Sequence, residues 1–296
     1  MVLEAASPGF NRIVDPEAKL DRIAHGHIFT EGPVWNTRDK SLVYVDIIGD
    51  TIWKWQPGVG ATPLVHPSGK VNGLTYDRQG RLLIAGWTSR SITRMDPDGS
   101  IATLASRYQG KKLNTPNDIV VKSDGMIYFT DPPGGLYIVA MGVDDLQQYL
   151  DYSGVYKLDP ESGDLTLVTD DVPGCNGLAF SADESKLYVN DTAARHIKVF
   201  DVKPDGTLGP GRIFAVLEGE EPGIPDGMKV DTEDNVYCTG PGGVWVMDSA
   251  GNYLGRILVP EHASNMAWAD EDWKTFYITG RSSVFRIRCK IPGIPV

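Results

Sequence analysis

Residues 72–105 read NGLTYDRQGRLLIAGWTSRSITRMDPDGSIATLA. Runs from Leu74 to Asp77, Arg81 to Trp87, Ser91 to Asp96 and Ile101 to Ala105 are parted by turn-forming residues at 78–80, 88–90 and 97–100. Four short strands punctuated by Gly, Pro and Asp predict a β-meander. The Asn72-Gly73 pair that opens it belongs to a series. Glu31-Gly32, Asn72-Gly73, Asn117-Asp118, Asn176-Gly177, Asp226-Gly227 and Asn265-Met266 each precede a short apolar stretch, at intervals of 41, 45, 59, 50 and 39 residues by subtraction. A repeat of about 40 to 50 residues built from four strands is the mark of a propeller blade. The chain is therefore predicted to be all-β, a six-bladed β-propeller of four-stranded antiparallel blades.

The same pattern recurs as Leu187 to Asn190 with Ile197 to Val202, as Val236 to Thr239 with Val244 to Asp248, and as Thr275 to Thr279 with Val284 to Arg288. The sixth unit ends near Arg288 with only three strands, while residues 1–30 precede the first unit with nothing to pair with. A strand within Leu20 to His27 is expected to complete the last blade and close the ring, which removes two exposed sheet edges. No linker composition interrupts the units, so residues 1–296 read as one propeller domain. Asp144 to Tyr149 is the one helical-looking stretch, too short to change the class.

Strand parity fixes the functional face. If each opener sits at the top of an innermost strand that runs down the channel, the loop between strands two and three emerges at the top. So does the loop that leads into the next blade. The extra length of the third unit, Pro132 to Ser153, falls between its second and third strands and is expected to overhang the channel mouth.

With 41% hydrophobic and 23% charged residues, the 296-residue chain has ordinary globular composition. A net charge of -11 argues against nucleic acid and anionic membrane as partners, because both require a basic surface. Residues 1–15 lack the basic and apolar regions of a signal peptide, and no apolar run approaches the ~18 residues of a membrane span. A soluble, cytoplasmic protein is expected. Cys175, Cys238 and Cys289 fit no metal-ligand or redox spacing and read as free, buried thiols.

A lone Asn-Gly is ordinarily a turn. Here the polar residue recurs at one phase of the repeat, and the first unit substitutes Glu31, which no turn requires. The openers are therefore expected to ring the channel axis. Glu31 and Asp226 supply two negative charges, and Asn117 and Asn176 supply neutral carbonyls from two further blades. An all-oxygen set suits a hard divalent cation such as Ca²⁺, Mg²⁺ or Mn²⁺. The histidines at 25, 27, 66, 196 and 262 fall outside the ring and match no metalloprotease or triad spacing. Gly240-Pro241-Gly242-Gly243 lies between two strands, so it is not a phosphate-binding loop.

Over nearly its whole length the chain resembles the gluconolactonase, regucalcin and luciferin-regenerating-protein family. The resemblance rests on Thr30-Glu31-Gly32-Pro33-Val34-Trp35, Pro116-Asn117-Asp118, Cys175-Asn176-Gly177-Leu178 and Pro225-Asp226-Gly227-Met228. It implies a six-bladed propeller that hydrolyses sugar lactones with one axial divalent ion, which differs among members between calcium, zinc, magnesium, manganese and iron; of these, calcium is the ion favoured for this chain. It further implies Glu31, Asn176 and Asp226 as metal ligands, Asp226 as base, and Asn117 as a position that holds substrate or reaches the ion. Two departures stand at the expected pocket rim. Thr115 replaces the arginine of the animal branch, and Ala85-Gly86-Trp87 replaces the Cys-Glu-His of many bacterial members.

The expected reaction is opening of an aldonolactone to its hydroxy acid, with either Asp226 or a metal-held hydroxide as the base. Asn72, Thr115, Asn117, Asp118, Arg90 and the Glu220-Glu221 pair are the candidates for substrate hydroxyls on the rim. Trp87 and Tyr152 are candidates to cover an apolar sugar face. The alternatives are a phosphotriesterase of the diisopropylfluorophosphatase type, which uses a similar oxygen cage, and a metal-binding propeller without turnover.

Overall fold

The computed structural model describes residues 2–138 and 142–295; residues 139–141, within the predicted overhanging insertion, lie outside that description. Among the described residues six antiparallel blade sheets follow one another along the chain, with a two-stranded ribbon, Arg107–Tyr108 against Lys111–Lys112, between blades two and three. Blade one comprises Thr30–Asn36, Ser41–Asp46, Thr51–Gln56 and Gly60–Val65. Blades two to five start at Leu74, Ile119, Cys175 and Met228, and blade six comprises Ala263–Ala269, Thr275–Gly280 and Ser283–Arg288. The strand expected to close the ring is Asp21–His25, which pairs with the outer edge of blade six, Asp21 opposite Arg286 and His25 opposite Ser283.

The openers owe their direction to an irregularity in the inner strand. Register slips between Glu31 and Val34 in blade one, between Cys175 and Leu178 in blade four, and between Ala263 and Asn265 in blade six. In blades two, three and five regular pairing begins two residues after the opener, at Leu74, Ile119 and Met228. An extra residue in one strand re-aims its side chain. Here it does so in blades one, four and six, while in blades two, three and five the opener lies just before the regular pairing.

The glycine after the opener is not a hairpin residue, contrary to the usual reading of Asn-Gly. Gly73 donates its N–H to the carbonyl of Asn117 at 2.8 Å, Gly177 to that of Asp226 at 2.9 Å, and Gly227 to that of Ser264 at 2.7 Å. A Cβ on Gly73 would stand 2.2 Å from the Asn117 oxygen, and one on Gly177 2.3 Å from the Asp226 oxygen. Glycine is required because neighbouring blades touch backbone to backbone at the axis. Blade three has Asp118 in this place, and the Thr130 hydroxyl bridges instead. It accepts from Asp118 N at 3.1 Å and donates to Asn176 O at 2.6 Å.

Away from the axis, large side chains wedge between blades. Tyr128, Tyr188, Tyr237 and Tyr277 occupy corresponding positions in the second strands of blades three to six, and all are fully buried. Burying an aromatic ring while its hydroxyl finds a partner is favourable, and Tyr128 donates to Gly206 O at 2.8 Å. Cys175, Cys238 and Cys289 are free and buried, as their spacing suggests. No helix among the described residues is long and apolar enough to cross a membrane.

Two local expectations are corrected. Residues before Leu20 do not lie unpaired: Leu3–Ala5 adds a fifth strand to blade five against Tyr253–Leu258, and Phe10–Ile13 forms a helical turn that buries Phe10 and Ile13. Asp144 to Tyr149 forms no helix; the insertion's single turn of 3₁₀ helix is Gly134–Tyr137. The reason is a competitor for its carbonyls. Arg90, on the top-face turn of blade two, donates Nη1 to Asp145 O at 2.9 Å and to Gln147 O at 3.0 Å. Its Nε donates to Leu113 O at 2.7 Å and Asn114 O at 2.9 Å. Arg90 is therefore a buried anchor of the insertion and not a rim residue.

Losing a buried donor that serves four carbonyls leaves several acceptors unsatisfied. Arg90→Leu is expected to destabilise the protein by about 3 kcal/mol and to expose the insertion to limited proteolysis. Urea unfolding and a protease time course check this; an unchanged midpoint with an intact insertion contradicts it. Beneath the same segment, burial raises the Asp131 carboxyl to about 7, against the opposing pull of the Asn114 N–H and the Arg90 charge. A carboxyl whose folded pKa exceeds its unfolded value stabilises the native state at low pH. That contribution is lost as pH rises from about 4 through about 7. Asp131→Asn should flatten the fall in melting temperature between pH 5 and 8, and an unaltered slope would refute the assignment.

Candidate active site

Glu31, Asn72, Asn117, Asn176 and Asp226 line one cavity of about 710 Å³ at the top of the channel. Each side chain comes from a different blade. The walls come from the loops that parity assigns to this face: Ile28 and Phe29 lead into blade one, His262 leads into blade six, and Trp87, Pro132, Thr192 and Arg281 follow second strands. The described part of the insertion contributes Pro132, Pro133, Gly134, Tyr137 and Ile138. At the opposite end the channel holds only a small cavity of about 120 Å³, whose lining includes Trp35, Trp268, Lys229 and Ile294.

The ring side chains hold one another. Asn72 Nδ2 donates to Asn117 Oδ1, and Asn117 Nδ2 donates to Asn176 Oδ1. Asn176 Nδ2 passes on to the Thr192 hydroxyl at 3.2 Å, which donates to Pro225 O at 2.7 Å. From the sixth blade Asn265 Nδ2 donates to Glu31 Oε2 at 2.9 Å, and Gly32 N donates to the same oxygen at 2.6 Å. The Asp226 backbone is clamped by its own N–H on the Thr239 hydroxyl, 2.9 Å, and by Asn190 Nδ2 on its carbonyl, 2.5 Å. The five side chains thus meet at the floor of one cavity. An amide oxygen that accepts one hydrogen bond retains a second lone pair.

Charge is the unusual feature. Glu31 is 3% exposed and Asp226 8%. Burial pushes the Glu31 carboxyl well above its ordinary range, and the negative charge of Asp226 pushes it further. Burial likewise raises Asp226, opposed by His262, whose Nε2 lies 3.8 Å from Asp226 Oδ2. Among the described residues neither carboxylate has a Lys or Arg partner. Two buried like charges without a cation are destabilising.

The donor chemistry fits a hard divalent cation. Among the described residues no three His, Cys, Asp or Glu side chains gather as ligands. A soft or imidazole-rich site is thereby disfavoured, and the ring instead combines two carboxylates with amide oxygens, the ligand type of Ca²⁺, Mg²⁺ or Mn²⁺. A bound cation would relieve the repulsion between Glu31 and Asp226.

Other expected site residues lie elsewhere. Asp118 is buried behind the ring, where Oδ1 accepts from Ile119 N at 2.9 Å and Oδ2 stands 4.0 Å from Lys229 Nζ; it does not line the cavity. Successive side chains along a strand point to opposite sides, so Asn117 and Asp118 do not both face the mouth. Thr115 is buried under the insertion, donating to Pro132 O at 2.5 Å and accepting from Gly135 N at 3.1 Å. Glu221 pairs with Arg256 at 2.9 Å outside the cavity, and Glu220 does not line it. Tyr152 packs into the core between blades two and three, while Trp87 lines the cavity. His262 and Arg281 line the site without having been singled out by spacing. Their positions in the repeat, on top-face loops of the blade-six unit, carry the signal that motif spacing does not.

Comparison with known proteins accords with this geometry. A gluconolactonase of Zymomonas mobilis is 30% identical over 97% of this chain and 86% of its own. A pentonolactonase of Haloferax volcanii is 27% identical over 90% of this chain and 84% of its own. The solved structure of a gluconolactonase from Xanthomonas campestris superposes with a TM-score of 0.91 at 33% identity, covering 98% of this chain and 95% of that one. The SMP-30/Gluconolactonase/LRE-like region matches residues 29–282, which takes in all six openers, and the chain belongs to that family.

Proposed function

We infer that this chain is a sugar lactonase, hydrolysing an aldonolactone to its hydroxy acid with the help of one divalent ion. The observation that carries the reading is the pair of buried, cation-free carboxylates, Glu31 and Asp226, completed by the oxygens of Asn117 and Asn176 at the floor of the only large mouth of the channel among the described residues. We assign the metal to these four side chains, with calcium foremost. The family and its gluconolactonase and pentonolactonase relatives support a cyclic sugar ester as substrate. We further assign residues 1–296 to one propeller domain. Three unpaired, buried cysteines fit a reducing compartment, and on that ground we place the protein in the cytoplasm.

A divalent ion in this set would supply Lewis-acid polarisation of the lactone carbonyl and stabilise the developing oxyanion. Asp226 accepts a proton from the attacking water on its carboxylate. Thr239 and Asn190 hold its main chain, which fixes the point from which the side chain reaches into the cavity. His262 stands beside Asp226 on the solvent side and is placed to carry that proton to the ring oxygen as the ester C–O bond breaks. Water supplies the hydroxyl of the new acid, and its proton ends on the released alcohol. Asn72 and Asn117 hold their amides at fixed angles through the ring's hydrogen bonds and offer the remaining lone pairs and N–H groups to substrate hydroxyls.

Glu31→Gln removes ligand charge, so it should weaken metal affinity and regain activity when metal is in excess. Asp226→Asn retains an oxygen ligand but loses the proton acceptor. Its kcat should remain reduced roughly 10²-fold or more at full metal occupancy, the usual size of a general-base contribution. Lactone hydrolysis is followed with a pH indicator while metal content is determined in parallel. Full activity in protein stripped of metal, or recovery of the Asp226 variant on adding it, contradicts the scheme.

His262→Asn should lower kcat by about 10-fold to 100-fold with metal content unchanged, because proton transfer is affected and the ligand set is not. A variant with wild-type kcat would remove His262 from the proton path.

A further inference from the structure

The polar floor of the cavity contrasts with its upper wall. On the side formed by blades one and two and the insertion, the wall is built from Ile28, Phe29, Ile48, Trp87, Tyr137 and Ile138. Three of these are large apolar side chains left open to solvent: Ile28 is 52% exposed, Tyr137 68% and Ile138 41%. Their convergence on one mouth makes a contiguous apolar surface. Such surfaces, when rimmed by polar groups, mark binding sites.

This wall is braced from behind. Phe29, Ile48 and Trp87 pack against Ile47, Leu136 and Val143, so the loops of blades one and two and the insertion share one apolar cluster. The Asp46 carboxylate ties the two loops of blade one together, accepting from Ile28 N at 2.9 Å, Phe29 N at 3.0 Å and Gly49 N at 3.0 Å. A bare aldonolactone can lay a C–H face on Trp87, but with a hydroxyl on almost every carbon it has little to offer Ile28 and Ile138. A volume of about 710 Å³ falls in the range of about 300–1,000 Å³ that accommodates drug-sized ligands. The space extends well beyond a single small ring.

We propose that the site takes lactones bearing an apolar substituent, an alkyl or aryl group on the ring, with the ester at the ring of openers and the substituent against the Ile28–Tyr137–Ile138 wall. The proposal rests on the lactonase reading and extends it to a substrate class. Each methylene buried against the wall contributes at most about fourfold in binding, from about 0.8 kcal/mol per CH₂. Affinity should therefore climb with chain length until the wall is covered.

The test is kcat/KM of the full-length, metal-supplied protein on δ-lactones carrying methyl, propyl and pentyl groups at the carbon bearing the ring oxygen, with δ-gluconolactone measured alongside. A rise of at least tenfold from methyl to pentyl is expected. In Ile28→Ser and Tyr137→Ser the pentyl-to-methyl ratio should fall severalfold. Calorimetric binding of the corresponding hydrolysis-resistant lactams should follow the same order. A flat alkyl series with δ-gluconolactone turned over overturns this proposal and leaves the sugar lactonase standing. Turnover of the alkyl series in rising order without δ-gluconolactone upholds the apolar preference and overturns the sugar reading. Hydrolysis of no lactone by metal-loaded protein overturns both.

Discussion

The close backbone contact between neighbouring inner strands governs the rest of the molecule. Where Gly73, Gly177 and Gly227 donate to the carbonyl at the head of the next blade, adjacent inner strands meet with no side chain between them. A methyl group at Gly73 or Gly177 would collide with that carbonyl and push the blades apart. Blades converging at this distance leave an axial space at whose mouth five of the openers meet. The polar ring is thus a product of blade packing, and in blades one, four and six a bulge beside the opener bends the strand there.

That packing has an electrostatic cost which the fold accepts at the site. Glu31 and Asp226 are held in a region where burial penalises both, the charge of Asp226 adds to the penalty on Glu31, and the charge of Asp118 adds to that on Asp226. The surrounding amides satisfy hydrogen bonds but carry no positive charge. Neutral donors reduce the desolvation penalty of a carboxylate without abolishing it, so the pair is poised for a cation. Asn72, Asn117 and Asn176 are linked in series through their own amides, which orients their oxygens within the ring.

The fold was legible in the sequence because its period is long, repeated six times and anchored by openers at one phase. The closing strand at Asp21–His25 followed from counting three strands in the last unit. Strand parity also placed the insertion at the cavity. What escaped was the direction of side chains one or two residues from an opener. Asp118 sits beside Asn117 in the chain but points behind the ring, and Thr115 is turned under the insertion by its bonds to Pro132 and Gly135. The insertion itself is tied down by Arg90, whose partners are main-chain carbonyls that no sequence pattern announces. Leu3–Ala5 was overlooked because a three-residue strand contributes too little alternation to register. His262 was passed over because spacing rules look for partners close in sequence, and Asp226 lies on another blade.

Two sets of constraints meet at the cavity, and they are largely independent. The floor is fixed by all six blades at once: a change in the ring's glycines or bulges alters interblade distance and therefore every donor position. The wall is fixed by the loops of blades one and two and the insertion, which share an apolar cluster and are braced by Asp46 and Arg90. Substituting Ile28 or Tyr137, both largely exposed, disturbs neither the interblade hydrogen bonds nor the ring amides. Reaction chemistry and substrate selection are thus carried by different parts of the chain. A floor of carboxylates and amides can therefore sit beneath a wall of apolar side chains, since a change in the loops leaves the distance between blades untouched.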